Sequence, residues 1–288
     1  MQVTTSVVIS VLDDSYALRA TVESVLNGGM VPSEIIVIDD GSRPALESIA
    51  EPACHEGLIH YFKTERRGVA RARNLGARLT TGRNLIFMDS HCLVERSWLQ
   101  QLVDGLAALP KAVLAPSVRG FGDDLFGCGA RIVTPQLKTR WIINSMEGEH
   151  VPMVPGGCMA MRRTTFFRLG QFYPFRELGL EDVEFSLRAW RMGTELVSVN
   201  GARLSHRFSD VPTYSLNPQS RGYNLAVLAL MHFTGERRHQ CLSSIIGGPR
   251  ASETLVDALA SGWEHQRTQM NELAIRSIAE YFERHGDW

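Results

Sequence analysis

From Ser6 to Leu109, short unbroken apolar runs alternate with stretches whose apolar residues recur at helical spacing. Ser6-Val7-Val8-Ile9-Ser10-Val11-Leu12 is β-branched and predicts the first strand. Asp13-Asp14-Ser15 suits a helix N-cap, and Leu18, Val22, Val25 and Leu26 then mark a helix that Asn27-Gly28-Gly29 stops. Glu34 to Ile38 and Leu58 to Phe62 read as the second and third strands. Arg66-Arg67-Gly68 opens a helix through Val69, Arg73, Leu75, Ala77 and Leu79, ended by Gly82. Asn84-Leu85-Ile86-Phe87-Met88 has the make-up of a strand buried on both faces, and Trp98 to Leu109 is a helix closed by Pro110. Strand and helix in alternation predict a parallel sheet covered by helices on both sides.

Beyond about residue 115 the pattern weakens. Gly120 to Asp124 and Gly127-Cys128-Gly129 look like loops. Arg131 to Val133 and Trp141 to Ile143 are expected as strands of a second, partly antiparallel sheet. Cys158 to Met161 is a small apolar strand after Pro155-Gly156-Gly157, Glu181 to Met192 is a helix, and Leu196 to Val199 is a last strand running on to Leu204-Ser205-His206. From about residue 217 only helices are expected, over Asn224 to Phe233 and Thr254 to Phe282, parted by Gly247-Gly248-Pro249. The division that follows is residues 1–215 as an α/β domain and 216–288 as a C-terminal helical extension.

Composition narrows the function. Thirty Lys and Arg against 31 Asp and Glu leave a net charge of −1, without the basic excess of a dedicated nucleic-acid binder. The five cysteines are scattered with no CxxC pair, so neither a zinc knuckle nor a disulfide framework is expected, and a cytoplasmic location is. No apolar run is long enough to span a bilayer, and the start lacks the basic region of a signal peptide.

Candidate chemistry gathers at strand ends. Asp89-Ser90-His91 closes a buried run with a carboxylate and an imidazole two positions apart, which on an extended strand point the same way. Asp39 and Asp40 end another such run, and the ends of parallel strands share one cleft. Arg67 and Arg71 share a helix face near the same edge, where a guanidinium suits a phosphate or a uracil carbonyl. For Arg66, Arg73 and Arg78 taken singly, a solvated basic face is the better account. His206 follows a strand as His91 does, and a set of Asp89, His91 and His206 fits Mn²⁺ better than Mg²⁺. Glu181-Asp182 opens a helix, where acids are favoured by the dipole and one can serve as a general base. Gly156-Gly157 removes side chains and lets a substrate approach the backbone.

In this order, the motifs resemble family 2-like nucleotide-sugar glycosyltransferases of the GT-A fold, over roughly residues 5–210. The likeness is carried by Val7 to Asp14, Ile36 to Ser42, Gly68 to Gly76, Trp98-Leu99, Gly156-Gly157, Glu181 to Trp190 and Leu204-Ser205-His206. Asp89-Ser90-His91 looks like the DxH variant of the DxD motif found in polypeptide N-acetylgalactosaminyltransferases. The resemblance implies a Rossmann-like α/β fold with a mostly parallel central sheet. It implies Leu12, Asp14 and Asp39 or Asp40 around uridine with Arg71 beside them, and Ser90 among the nucleotide contacts. Asp89, His91 and His206 would hold Mn²⁺ against the diphosphate, with Mg²⁺ as the alternative ion. Gly156 and Gly157 would pass behind the donor sugar, and Asp182, or else Glu181, would take the acceptor proton.

The chain departs from the mucin-type pattern in three ways. Glu181-Asp182 stands where those retaining enzymes have Glu-Asn, and Glu-Asp is the pattern of the inverting branch. Leu12-Asp13-Asp14 replaces the common Tyr-Asn-Glu, and a lectin-like domain and membrane anchor are missing, so a soluble bacterial enzyme is expected. The expected reaction moves a hexose or N-acetylhexosamine from a UDP-sugar to a glycan, natural product, lipid-linked sugar or peptide. A homodimer and a lid over the donor formed by His206 to Tyr223 are also expected. The competing readings are a non-catalytic sugar-nucleotide binder or assembly protein and a sugar nucleotidyltransferase. The latter would carry a glycine-rich basic loop where Leu12-Asp13-Asp14-Ser15 stands.

Overall fold

A computed structural model describes residues 4–46, 57–143, 145–208, 217–248, 250–286 and 288. The strands are β1 (Thr5–Val11), β2 (Glu34–Asp39), β3 (Ile59–Lys63), β4 (Asn84–Asp89), β5 (Cys92–Val94), β6 (Val113–Gly120), β7 (Gly127–Ile132), β8 (Thr139–Ile143), β9 (Cys158–Arg162) and β10 (Leu196–His206). The helices are α1 (Ser15–Asn27), α2 (Val69–Leu79), α3 (Trp98–Ala108), α4 (Arg163–Arg168), α5 (Glu181–Arg191), α6 (Pro218–His232), α7 (Gly235–Ser243), α8 (Ala251–Leu259), α9 (Trp263–Leu273) and α10 (Ile278–His285).

The strands form one mixed sheet in the order β3-β2-β1-β4-β9-β6-β10-β5, with β7 paired to β6 and β8 to β7. β3, β2, β1 and β4 run parallel, whereas β9 is antiparallel to both β4 and β6. Alternation along β1 divides its side chains between two cores. Val7 and Ile9 pack with Leu18 and Val22 of α1 and Leu102 of α3 on one face. Val8 packs with Ala70 and Ala77 of α2 and with Phe166 and Phe185 on the other. This double burial explains the unbroken apolar runs.

A third core joins the C-terminal helices to the rest. Leu225, Leu228 and Met231 of α6 and Tyr281 of α10 share it with Val183, Leu187 and Trp190 of α5 and with Ile132 of β7. The expected division at 215/216 falls outside the described residues, as does the middle of the expected lid, 209–216. Cys54 also lies outside them, and the other four cysteines are buried free thiols. Among the described residues, no helix is long and apolar enough to cross a membrane.

The second half of the chain corrects several expectations. The strands around Arg131 and Trp141 extend the one sheet rather than building a second. Gly127-Cys128-Gly129 lies in β7, not in a loop. A Cβ on Gly127 would come within 2.9 Å of the Trp141 side chain, so the glycine serves strand packing. The stretch Thr254 to Phe282 is not one helix. Gly262, at φ +77°, and the Ser277–Glu280 capping box divide it.

Candidate active site

Two strand ends bring the central residues together. β4 stops at Asp89, and Ser90-His91 turn the chain into β5. His91 thus reaches the site through a turn rather than by alternation along one extended strand. β5 pairs antiparallel with β10 so that His206 lies opposite Cys92, and the Arg207 amide donates to the His91 carbonyl at 3.0 Å. The β5–β10 ladder, which sequence reasoning missed, therefore carries His206 to Asp89.

Both imidazoles turn Nε2 toward one oxygen. His206 Nε2 lies 3.2 Å and His91 Nε2 4.0 Å from Asp89 Oδ2. One ligand atom from each of the three residues falls within 4.8 Å of the others. Asp14 stands behind His91, its Oδ2 3.3 Å from Nδ1 and 2.5 Å from Arg207 Nη2. Although Asp14 occupies the N-cap position of α1, its side chain makes no capping bond and is spent on His91 and Arg207 instead. Burial works against the Asp14 charge, but the bonds from His91 and Arg207 outweigh it and lower its pKa.

The donor set suits a borderline divalent cation, with one carboxylate oxygen and two imidazole nitrogens converging. Carboxylate support at the far nitrogen of a ligating imidazole is how metal-binding histidines are commonly oriented. Gly157 leaves room at the cluster, since a Cβ there would lie 3.2 Å from His206 Nε2 and 3.7 Å from Asp89 Oδ2. The residues present therefore fit Mn²⁺.

The other Asp89 oxygen is held from behind. Arg73 Nη2 donates to Asp89 Oδ1 at 2.6 Å and to the Gly156 carbonyl at 2.7 Å, and Nη1 donates to Glu181 Oε1 at 3.0 Å. Arg73 is 1% exposed, which corrects the expectation of a solvated basic face. Burial raises the Asp89 pKa, but the Arg73 charge, the His206 hydrogen bond and the two imidazoles reverse that and hold it far below the usual carboxylate range.

Glu181 and Asp182 begin α5 yet differ in surroundings. Glu181 is buried, tied to Arg73, and accepts the Gly179 amide at 3.0 Å through Oε2. Burial first, and the Asp182 charge second, push its pKa upward. Asp182 is half-buried; its Oδ2 accepts the Gly156 amide at 2.8 Å, and burial raises its pKa as well.

Two cavities meet at the cluster. One, of about 290 Å³, is lined by Leu12, Asp14, Asp40, Ser90 and Arg66 among others. The second, of about 230 Å³, is lined by Gly156, Gly157, Asp182, Trp141 and Met153. Asp89, His206 and Phe208 border both. Asp39 and Arg71 line neither. Asp39 is fully buried, bonding the Ser42 amide at 2.7 Å and the Tyr61 hydroxyl. Arg71 donates to the Phe175 carbonyl at 3.1 Å from the exposed side of α2. Asp40 accepts the Arg67 and Gly68 amides at 2.8 Å each, fixing the entry to α2.

The comparisons agree with this architecture. The profile of glycosyl transferase family 2 matches residues 6–169, more than half of the chain. The chain belongs to that family. It is similar to a probable N-acetylgalactosaminyltransferase 8 of Caenorhabditis elegans, 29% identical over 64% of this chain and 49% of that protein. It is also similar to an inactive polypeptide N-acetylgalactosaminyltransferase-like protein 5 of Macaca fascicularis, 31% identical over 70% of this chain and 51% of that protein. This family 2 chain spans about half the length of these curated relatives. A solved structure of GalNAc-T7 with UDP, GalNAc and Mn²⁺ superposes with a TM-score of 0.75 at 21% identity, over 98% of this chain and 56% of that one. That likeness establishes the GT-A-like fold.

Proposed function

We propose that this chain is a metal-dependent glycosyltransferase that moves a hexose or N-acetylhexosamine from a UDP-sugar to an acceptor nucleophile with inversion. One observation carries the reading: the Asp89, His91 and His206 cluster borders two cavities, and the second also holds the half-buried carboxylate of Asp182. In this reading the first cavity takes the uridine diphosphate and the second the sugar and its acceptor. The names of the relatives and the ligands of the superposed structure support the same donor class. Four buried free thiols accord with a cytoplasmic location, which belongs to the proposal.

Asp89, His91 and His206 would hold Mn²⁺; when bound, the ion supplies Lewis-acid stabilisation of the departing diphosphate. Asp40, Arg66 and Ser90 would bind the nucleoside from the first cavity. The bare backbone at Gly156-Gly157 lets the sugar lie against the chain. Asp182 would accept the acceptor proton at a carboxylate oxygen as the nucleophile attacks the anomeric carbon. Glu181 suits this role less, because it is buried against the Arg73 guanidinium and lines neither cavity, whereas Asp182 borders the second.

Calorimetry of UDP binding with and without Mn²⁺ tests the cluster. Wild type is expected to bind UDP more tightly with Mn²⁺, and Asp89→Ala and His91→Ala to lose that dependence. Identical wild-type affinity under both conditions would refute the reading. The second reading, a non-catalytic sugar-nucleotide binder, is favoured by the relative named inactive. Incubation with several UDP-sugars and Mn²⁺ separates the two, since a transferase slowly releases UDP to water and a binder releases none.

A further inference from the structure

Arg73 has connections that the metal cluster and the proton acceptor do not by themselves explain. Its guanidinium is buried, yet it receives partners from three separate parts of the chain. They are Asp89 at the end of β4, the Gly156 carbonyl in the loop before β9, and Glu181 at the start of α5. Three carboxylates, Asp89, Glu181 and Asp182, act on this one guanidinium.

Each contact constrains one working part. The bond to Asp89 Oδ1 leaves Oδ2 as the oxygen facing His206 Nε2 at 3.2 Å and His91 Nε2 at 4.0 Å. Gly156 is gripped at both ends of its peptide groups: its carbonyl accepts from Arg73 at 2.7 Å, and its amide donates to Asp182 Oδ2 at 2.8 Å. The bond to Glu181 Oε1 pins the first residue of the helix that carries Asp182. A planar fork meets these demands at once, whereas a lysine ammonium is a point charge that satisfies only part of them.

We propose that Arg73 is a positioning residue that locks the cation cluster and Asp182 into one rigid unit, so that the cation and the proton acceptor hold a fixed spacing. The inference rests on the functional reading above and deepens it. Loss of the fork then damages two separable steps. Cation affinity falls because Asp89 is no longer aimed, and turnover falls because Asp182 drifts; excess cation repairs the first and not the second.

The test compares wild type with Arg73→Lys in the full chain. Mn²⁺ binding without nucleotide is read from the loss of the free-ion electron paramagnetic resonance signal, and kcat and KM are measured across Mn²⁺ concentrations. Arg73→Lys is expected to bind Mn²⁺ about ten- to a hundredfold more weakly. At saturating Mn²⁺, KM for the UDP-sugar returns to the wild-type value while kcat stays down by about a hundredfold. Wild-type Mn²⁺ affinity in the variant, or full kcat at saturating Mn²⁺, overturns the inference. If Arg73→Lys does not fold, Glu181→Gln serves instead, since it keeps an acceptor for the guanidinium but removes the charge. Its Mn²⁺ affinity is expected to stay close to wild type and its kcat to fall about tenfold; an unchanged kcat overturns the inference. Wild-type protein that binds no Mn²⁺ overturns the functional reading and this inference together, whereas wild-type binding with an unaffected Arg73→Lys overturns this inference alone.

Discussion

Helix α5 carries two buried charge clusters less than a turn apart, and they are built differently. At its first residue, Glu181 joins Arg73 and Asp89, and the Asp89 side chain remains 22% exposed. Three residues later, Glu184 takes Arg188 Nη2 at 2.5 Å and His232 Nε2 at 3.2 Å, with Glu184 and His232 fully enclosed. The inner cluster pairs one carboxylate with one guanidinium, and burial keeps His232 below its ordinary pKa and so neutral. The outer cluster sets three carboxylates against one guanidinium beside a cavity. Balanced charge sealed in a core holds helices together. An excess of carboxylates over guanidinium beside a cavity, with Glu181 and Asp182 pushed toward their neutral forms, leaves Asp89 as the charged oxygen that faces the imidazoles. Residue type does not distinguish these two cases, but charge balance and access do.

The largest expected effect lies on the outer side. Asp182→Asn keeps the side-chain shape but removes the proton acceptor, and turnover should fall by about 10²–10⁴-fold while UDP affinity survives. Steady-state kinetics with calorimetry of UDP checks both halves. Normal turnover would mean that the outer cluster needs no base at this position.

The inner cluster should answer in stability instead. Glu184→Ala leaves Arg188 and His232 buried without their carboxylate, at a cost of about 3–5 kcal/mol in denaturant unfolding. The kcat of the folded fraction should stay near wild type. The same pair makes an acid-labile contribution to wild-type stability. Burial opposes the Glu184 charge, but Arg188 and His232 overcome it and hold the carboxyl down at about 2. That contribution is present in full above the ordinary carboxylate range and fades as pH falls toward 2. His232 adds a loss of the same sign, because below its ordinary pKa of 6.5 the unfolded chain takes up a proton that the buried ring resists. Glu181, whose pKa burial and Asp182 push up to about 7, works in the opposite sense, so the test is a difference. The gap in unfolding midpoint between wild type and Glu184→Ala should narrow as pH falls from about 5 toward 2, and a gap independent of pH would contradict this account.

How far the two regions could be read in advance follows from the same contrast. Asp89 and His91 were legible because a doubly buried strand announces its own end, and ligands gather at such ends. Their partner His206 was legible as another strand end, but the pairing that carries it to Asp89 was not, since the three-residue β5 is too short to leave a pattern. Arg73 was misread because four arginines between 66 and 73 look like a wet helix face. What reverses that reading is Asp89 and Glu181 arriving from other elements, which no local window contains. Asp14 looked like a helix cap for the same reason, its true partners His91 and Arg207 being distant in sequence. The C-terminal helices gave even less warning, because their apolar faces meet α5 and β7 rather than one another alone.

Asp14 gives the next prediction. Removing it in Asp14→Ala frees His91 Nδ1 and releases Arg207, without touching Asp89 or His206. Mn²⁺ affinity should weaken about tenfold, the lower end of what loss of a carboxylate beside a ligating imidazole costs. Titration of Mn²⁺ into nucleotide-free protein measures it. An unchanged affinity would show that the turn from β4 into β5 orients His91 unaided.

The smallest effect belongs to Arg71, two residues from Arg73 on α2 and opposite to it in fate. Arg71 is exposed, lines neither cavity and donates to the Phe175 carbonyl, whereas Arg73 is enclosed by three partners. A surface change away from charge clusters is worth at most about 0.5 kcal/mol. Arg71→Ala should therefore alter UDP affinity by no more than about twofold in calorimetry, against the losses of Mn²⁺ affinity and turnover expected from Arg73→Lys. A tenfold loss in Arg71→Ala would mean that Arg71 leaves Phe175 and reaches the nucleotide, and the line drawn here between the two faces of α2 would have to be redrawn.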